Sequence, residues 1–412
     1  MKTEASRPRD PLPCRLVATI VRTVVLAAIL CFGFALRTAG LFHGLDSGRI
    51  YHPDTAKQIA AANRFARGTF YYKVGLRDYD GYPYFNSLLA AGIRYPFYRL
   101  SQAWNFHVNE EKVSDGKEPV SFAFVRVLNA VESTLAVLLI FILGRMLVGP
   151  GTGLLAAAML ACSPIDITTC HYANGDTAAA LFGLLALIFA LRIYRYGKPS
   201  DYILATAFSV CSFSSKYYGT ASAIPIIAAH LLRIRTRRDL FSRPTLLPIA
   251  TMGITAIAAF FFTNPGAFRQ PRKTVLNIYA FMQHTSGFKM PEQYNVPVPQ
   301  RFLLSMKANL PVFVDLLGPV ILALAAIFLL QTVIRRNRTH WVVAALPLFY
   351  IFVGLTMKPA VQPVYHTVTI PSLILGAAIF ITELSTWKRL GKVGKLTGIA
   401  MTAAVLLPLA NA

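Results

Sequence analysis

Two short stretches place acids where proton transfer could be organised. In Arg49-Ile50-Tyr51-His52-Pro53-Asp54-Thr55-Ala56-Lys57-Gln58, Pro53 holds its predecessor extended, and Asp54 stands where a helix over Ala56–Ala66 would start. An aspartate there caps unpaired N–H groups, and the same carboxylate can serve as a general base. In His171-Tyr172-Ala173-Asn174-Gly175-Asp176-Thr177 a second acid, Asp176, again precedes a helical pattern, with the same two readings. A lone cation, Lys216, lies in Ser214-Ser215-Lys216-Tyr217-Tyr218-Gly219. His52 and His171, close to the two acids, are candidate metal ligands; hydrogen-bonded structural histidines are the bland alternative, and metal dependence stays open. The five cysteines show no CxxC spacing and fall mostly in apolar stretches, so they indicate neither a disulfide framework nor a thiolate metal site.

These groups sit in an unusual chain. Of its 412 residues 55% are hydrophobic and 14% charged, against about a quarter charged in soluble domains. Apolar runs reach the roughly 20 residues needed to cross a bilayer. About eleven candidate spans are read: Leu16–Leu41, Phe122–Val148, Gly153–Thr168, Thr177–Tyr194, Tyr202–Ser215, Thr220–Leu232, Leu246–Thr263, Leu310–Val333, Trp341–Met357, Thr367–Leu384 and Leu396–Leu409. The first is too long for a signal-peptide core and lacks a small-residue cleavage site, so it reads as a retained span. The fold class expected is an all-α polytopic membrane protein, one domain over residues 1–412, with no separate C-terminal soluble domain.

Basic clusters orient the threading. Arg7, Arg9 and Arg15 precede the first span; Arg192, Arg195 and Lys198 follow the fourth; Arg233, Arg235, Arg237, Arg238 and Arg243 follow the sixth. Arg335, Arg336 and Arg338 follow the eighth, and Lys388, Arg389, Lys392 and Lys395 the tenth. All five fall on one side, the cytoplasmic one under the positive-inside rule. Basic clusters flank Tyr202–Leu232 at both ends, so the chain must turn back midway. A turn at residues 214–219 puts Lys216 at the outer face rather than in hydrocarbon, where a lysine is costly.

Asp54, Asp176 and Lys216 thereby share the extracytoplasmic face. Two long outer loops complete it. The first, residues 42–120, carries two expected membrane-surface helices, Ala56–Ala66 and Phe85–Trp104. The second, residues 264–309, holds Arg269, Arg272, Lys273, Lys289, Arg301 and Lys307 against one acid, Glu292. Outer basic charge on this scale suits an anionic ligand such as a phosphate head group. The formal charge of +23 is divided among membrane flanks and these loops, which argues against nucleic acid. Arg37 and Arg126, at outer ends of their spans, read as snorkelling to head groups, with phosphate binding as the alternative. Tyr365 and His366 read either as donor-site residues or as interfacial anchors.

In order, Phe34-Ala35-Leu36-Arg37, His52-Pro53-Asp54, Tyr82-Pro83, Phe124-Val125-Arg126, Ser163-Pro164, His171 to Asp176, Ser215-Lys216-Tyr217-Tyr218-Gly219 and Asn264-Pro265 resemble the GT-C superfamily of lipid-dependent glycosyltransferases. The likeness is to bacterial relatives of protein O-mannosyltransferases and aminoarabinose transferases. It runs from about Arg37 to Pro265, weakly resumes over Tyr365 to Pro371, and rests on the ordered set, since no single motif is specific. The family often has an acid where Thr55 stands, and many relatives continue into an extracytoplasmic domain beyond the position of Ala412.

The resemblance implies an inverting glycosyltransferase of the bacterial inner membrane. It would move a sugar from a polyprenyl-phosphate donor to a hydroxyl on a glycan, lipid or protein acceptor. It also implies roles: Asp54 as base, Asp176 as an acid that orients the acceptor, assists Asp54 or binds a metal, and Lys216 with Arg269, Arg272, Lys273 and Tyr365 around the donor phosphate. A transporter or flippase would instead show internal repeats and ionisable groups near mid-membrane, and no repeat is apparent. An oligosaccharyltransferase-like enzyme is the nearer alternative.

Overall fold

Proline sets the helix starts. Pro53, Pro119, Pro150, Pro164, Pro199, Pro271 and Pro319 are each the first residue of a helix, where the missing N–H costs nothing and φ is already suitable. The computed structural model describes residues 12–41, 43, 53–66, 84–93, 119–268, 270–286, 296–356, 366–386 and 391–410. Its helices are α1 (Leu12–Thr38), α2 (Pro53–Ala66), α3 (85–93), α4 (Pro119–Leu147), α5 (Pro150–Ala161), α6 (Pro164–Cys170), α7 (Asp176–Tyr196), α8 (Pro199–Ser215) and α9 (Ala223–Leu231). They continue as α10 (Arg243–Thr263), α11 (Pro271–Ser286), α12 (Val298–Leu317), α13 (Pro319–Arg335), α14 (Arg338–Thr356), α15 (Ile370–Thr386) and α16 (Gly391–Ala410). Among the described residues there is no strand.

Among the described residues four helices, α1, α4, α7 and α10, are long and apolar enough to cross a membrane, or six if each of the bent pairs α5–α6 and α12–α13 is counted as one span. Other expected spans coincide with shorter helices. The eighth differs from expectation. Leu310–Val333 was expected as one straight span, but it breaks at Gly318, whose φ of +74° is open to glycine, and Pro319 starts a new helix. The two halves meet at 113°.

The core joins α4, α5, α7, α13 and α15 through Ile140, Leu143, Met159, Leu160, Leu187, Leu191, Phe328 and Ile374. Contact between α4 and α5 is close because glycines face each other: a Cβ on Gly144 would lie 2.7 Å from the Cα of Gly153. By contrast α1 and α10 bury little, exposing Ile20, Val24, Ile254, Ile257 and Phe262. Such apolar faces suit a hydrocarbon environment.

A buried ion pair locks the bundle next to the site. Arg37 of α1 is fully buried; it donates to Gly33 O and Ala161 O, each at 2.9 Å, to Leu160 O at 3.1 Å, and to Ser133 and Asp166. Ser133 in turn donates to Asp166. Four helices, α1, α4, α5 and α6, thus converge on one guanidinium. Arg126 is also buried and donates to Leu41 O at 2.7 Å and His43 O at 3.1 Å, holding the end of α1. Neither arginine snorkels, contrary to the sequence expectation, because unpaired carbonyls and a carboxylate lie within reach inside the bundle. Removing one partner strands the other, so Arg37→Ala or Asp166→Ala is expected to cost about 3–5 kcal/mol. Arg37→Lys should rescue little, lacking the planar fork that reaches five acceptors. Thermal unfolding in detergent measures both.

Candidate functional site

The chain breaks at Lys216, where a turn was expected. Lys216 adopts extended backbone (φ −153°, ψ 136°), and a 3-10 turn over Tyr217–Ser222 leads into α9. Gly219 folds back so tightly that a Cβ would strike the backbone carbonyl of Ser212. Both α8 and α9 then pack along α7. The reversal presents Lys216 and Tyr218 to the N-terminal end of α7.

That end is fixed from the other side by amides. Asn129 of α4 donates to Tyr172 O at 2.5 Å, and Asn86 of α3 donates to Asn129 Oδ1 at 3.1 Å and to Asn174 O at 2.6 Å. The side chain of Asn174 accepts the Asp176 N–H at 3.2 Å. Gly175 allows the turn to nest against α8: a Cβ there would sit 2.5 Å from Ser215 O. Asp176 is therefore not the capping residue, which was one sequence reading. It is the first helical residue, and its side chain turns inward.

Asp176 has no exposed surface. Its Oδ1 accepts from the Tyr218 hydroxyl and lies 3.8 Å from Lys216 Nζ, while Oδ2 has no hydrogen-bond partner among the described residues. Because Tyr218 spends its one proton on Asp176, the 2.8 Å contact between Tyr218 and Thr367 has the threonine as donor. Tyr218 is partly buried overall, yet protein atoms enclose its hydroxyl. Burial first, then the adjacent Asp176 charge, raise its pKa well above the ordinary phenol range, so it stays a donor. One carboxylate oxygen is thus held fixed and the other is left to accept a proton or a hydrogen bond.

The two acids do not stand equally in view. Asp54 lies within the first turn of α2, which starts at Pro53; its side chain, with His52, Arg269 and Tyr365, is outside the described residues. The helix itself is anchored at the site end. Ile59 and Ala62 pack with Ala90, Val125 and Ala173, and Ser87 of α3 donates to Gln58 O at 2.8 Å. Gln58, one turn after Asp54 on the same helix face, is buried. Thr55 is buried too. Arg272 and Lys273 are exposed on α11 and line a shallow open groove with Gln270, Pro271 and Leu276. This helix follows α10, whose end meets α8 beside Lys216: Asn264 donates to Ser214 at 3.0 Å.

His171 has Nδ1 2.7 Å from Ile167 O and Nε2 2.9 Å from Ala39 O, so both ring nitrogens are engaged with carbonyls. Among the described residues no three His, Cys, Asp or Glu side chains form a metal-binding group. His366 is buried against Phe313 and Tyr350. Four polar residues were missed: Glu132, Asn129 and Ser133 on α4, and Asp166. The signal was available in the spacing of Arg126, Asn129, Glu132 and Ser133, a polar stripe at helical period along an otherwise apolar span.

Residues 120–263 match the family of dolichyl-phosphate-mannose-protein mannosyltransferases. That segment holds Glu132, Asp176, Lys216 and Tyr218. The oligosaccharyltransferase of Archaeoglobus fulgidus, solved with zinc and sulfate, superposes with a TM-score of 0.59 at 12% identity, over 93% of this chain and 52% of its own. ArnT from Cupriavidus metallidurans, bound to undecaprenyl phosphate, gives 0.57 at 15% identity, over 94% and 63%. AglB from Archaeoglobus fulgidus, with an inhibitory peptide and a dolichol-phosphate, gives 0.60 at 11% identity, over 95% and 55%.

The fold is that of the GT-C glycosyltransferases.

The chain spans between about half and two thirds of the length of the solved proteins it matches. No curated protein sequence matches it significantly. Within the GT-C frame, the Asp176–Tyr218 contact is the joint between α7 and the turn after α8. Tyr218→Phe leaves a buried carboxylate oxygen without its donor and is expected to destabilise by about 1–3 kcal/mol. Gly175→Ala, which must push α7 from α8, should destabilise comparably or more; chemical or thermal denaturation in detergent reads both.

Proposed function

We propose that the protein is an inverting glycosyltransferase that moves a sugar from a polyprenyl-phosphate donor to an acceptor hydroxyl at the extracytoplasmic face of a bacterial inner membrane. The observation that carries this reading is the buried Asp176, with one oxygen held by Tyr218, the other unpartnered, and Lys216 Nζ at 3.8 Å. Support comes also from the match of residues 120–263 to dolichyl-phosphate-mannose-dependent enzymes and from relatives in fold that bind undecaprenyl phosphate or dolichol-phosphate.

The chemistry requires three things. An acceptor hydroxyl is a poor nucleophile, so a carboxylate must take its proton as the new bond to the anomeric carbon forms; Asp54 is assigned this role. The anomeric carbon gains oxocarbenium character, which a nearby carboxylate charge stabilises; Asp176 is assigned there, its free oxygen also orienting the acceptor. As the bond from the anomeric carbon to the phosphate oxygen breaks, its electron pair goes to the phosphate. The leaving polyprenyl phosphate then needs cations: Lys216 first, then Arg269, Arg272 and Lys273, with Tyr365 beside them. Attack opposite the leaving phosphate inverts the anomeric centre. Acceptors in this reading are glycans, lipids or proteins of the cell envelope. His52 and His171 remain the candidates for a metal ligand.

Incubation of purified protein with radiolabelled polyprenyl-phosphate sugars and membrane fractions tests the reading. Label should move from lipid to acceptor in the wild type. Asp54→Asn and Asp176→Asn should each cut transfer by about 10²- to 10⁴-fold, and Lys216→Met should raise the KM for donor. Wild-type turnover in Asp54→Asn removes that residue from the role; no transfer and no hydrolysis with any donor favours a transporter.

A further inference from the structure

Glu132 is a buried acid with no part in the reaction and no cation paired to it among the described residues. It lies on α4, is 3% exposed, and belongs to the buried polar stripe Arg126, Asn129, Glu132 and Ser133 of a largely apolar helix. Its Oε2 accepts the Thr177 hydroxyl at 2.8 Å, and its Oε1 has no partner among the described residues. No described lysine, arginine or histidine pairs with it. A carboxyl group placed this way is unfavourable for stability unless its one contact matters.

That contact falls on the residue next to Asp176. One turn earlier on the same face of α4, Asn129 holds Tyr172 O, and through Asn86 the carbonyl of Asn174 is held as well. The chain from Tyr172 to Thr177 is therefore clamped to α4 at both ends, with Asp176 between the clamps and Tyr218 on its opposite side. Gly175, the residue preceding α7, supplies no side-chain cap, so Thr177 is the first side chain of α7 tied to α4. A small rotation of this turn would move the free Oδ2 of Asp176, and misplacement by about 1 Å can cost on the order of 10²-fold in rate.

We infer that Glu132 is a positioning residue: by accepting the Thr177 hydroxyl it sets the rotation of the first turn of α7 and thereby aims Asp176 at the reacting sugar. The inference rests on the glycosyl-transfer reading for its kinetic part. Glutamine keeps the accepting oxygen, alanine removes it, and Thr177→Val removes the donor from the other side.

Two readouts on detergent-purified protein test this. In transfer from a labelled polyprenyl-phosphate sugar, Glu132→Ala and Thr177→Val should each lower kcat by about 10- to 100-fold with little change in donor KM. The double variant should be no slower than either single one, as for two ends of one contact, and Glu132→Gln should restore most of kcat. In hydrogen exchange, the peptide covering residues 172–178 should exchange about tenfold faster in both single variants and return toward wild type in Glu132→Gln. Effects that multiply in the double variant, a glutamine variant as slow as alanine, or unchanged exchange over residues 172–178 would each overturn the inference. A contact that only scaffolds would lower the unfolding temperature and leave kcat alone, which also overturns it. If the wild type transfers no sugar from any donor, the functional reading has failed, and the exchange data alone then decide the positioning contact. Should Glu132→Ala fail to fold, Thr177→Val carries the same comparison.

Discussion

A carboxylate inside an apolar bundle must be met by donors, and the site end of this protein is organised around meeting one incompletely. Asp176 receives Tyr218 on one oxygen, with Lys216 at ion-pair distance, and nothing from the described residues on the other. To bring those groups together the chain must interrupt α8 at Lys216, fold Gly219 onto Ser212, and press Gly175 against Ser215. Two glycines and a broken helix are local costs that only this arrangement explains. The amides Asn86, Asn129 and Asn174 then fix the turn that carries Asp176.

The second buried acid shows the contrast. Asp166 is engaged by Arg37 and by Ser133, and the same arginine also takes three backbone carbonyls from α1 and α5. Every reach of that guanidinium is used, so the cluster is a structural lock among α1, α4, α5 and α6. Both acids lie near the same end of the bundle, separated by the short connection from α6 to α7. The rigid cluster gives the open one a frame: α4 carries Ser133 for the lock and Asn129 and Glu132 for the site on adjoining turns.

Much of this was legible in the sequence because the signals were of one kind. Basic flanks at both ends of Tyr202–Leu232 demanded a reversal, and α8 does end at Ser215. Acids at the starts of helical patterns marked Asp54 and Asp176, and the ordered motifs carried the GT-C resemblance. What escaped depended on partners distant in sequence. Arg37 looked like a snorkelling cation, since nothing in its own segment reveals Asp166, 129 residues away. Capping by Asp176 was a fair local reading, overturned because Asn174 does that work and Tyr218 draws the carboxylate inward. The break at Gly318-Pro319 was visible as residues but was masked by the continuous hydropathy on both sides. Glu132 was passed over inside an apolar run, where its helical spacing from Asn129 was the clue.

The central claim is that the end of the bundle bearing Asp176 and Lys216 receives a lipid phosphate. Photo-crosslinking with a diazirine-bearing polyprenyl phosphate, followed by peptide mass spectrometry, addresses it most directly. Crosslinks are expected on residues 214–219 and 263–273, competed by unlabelled polyprenyl phosphate and diminished in Lys216→Met. Crosslinks confined to the opposite ends of α7, α8 and α10, around residues 194–200 and 233–245, would contradict it.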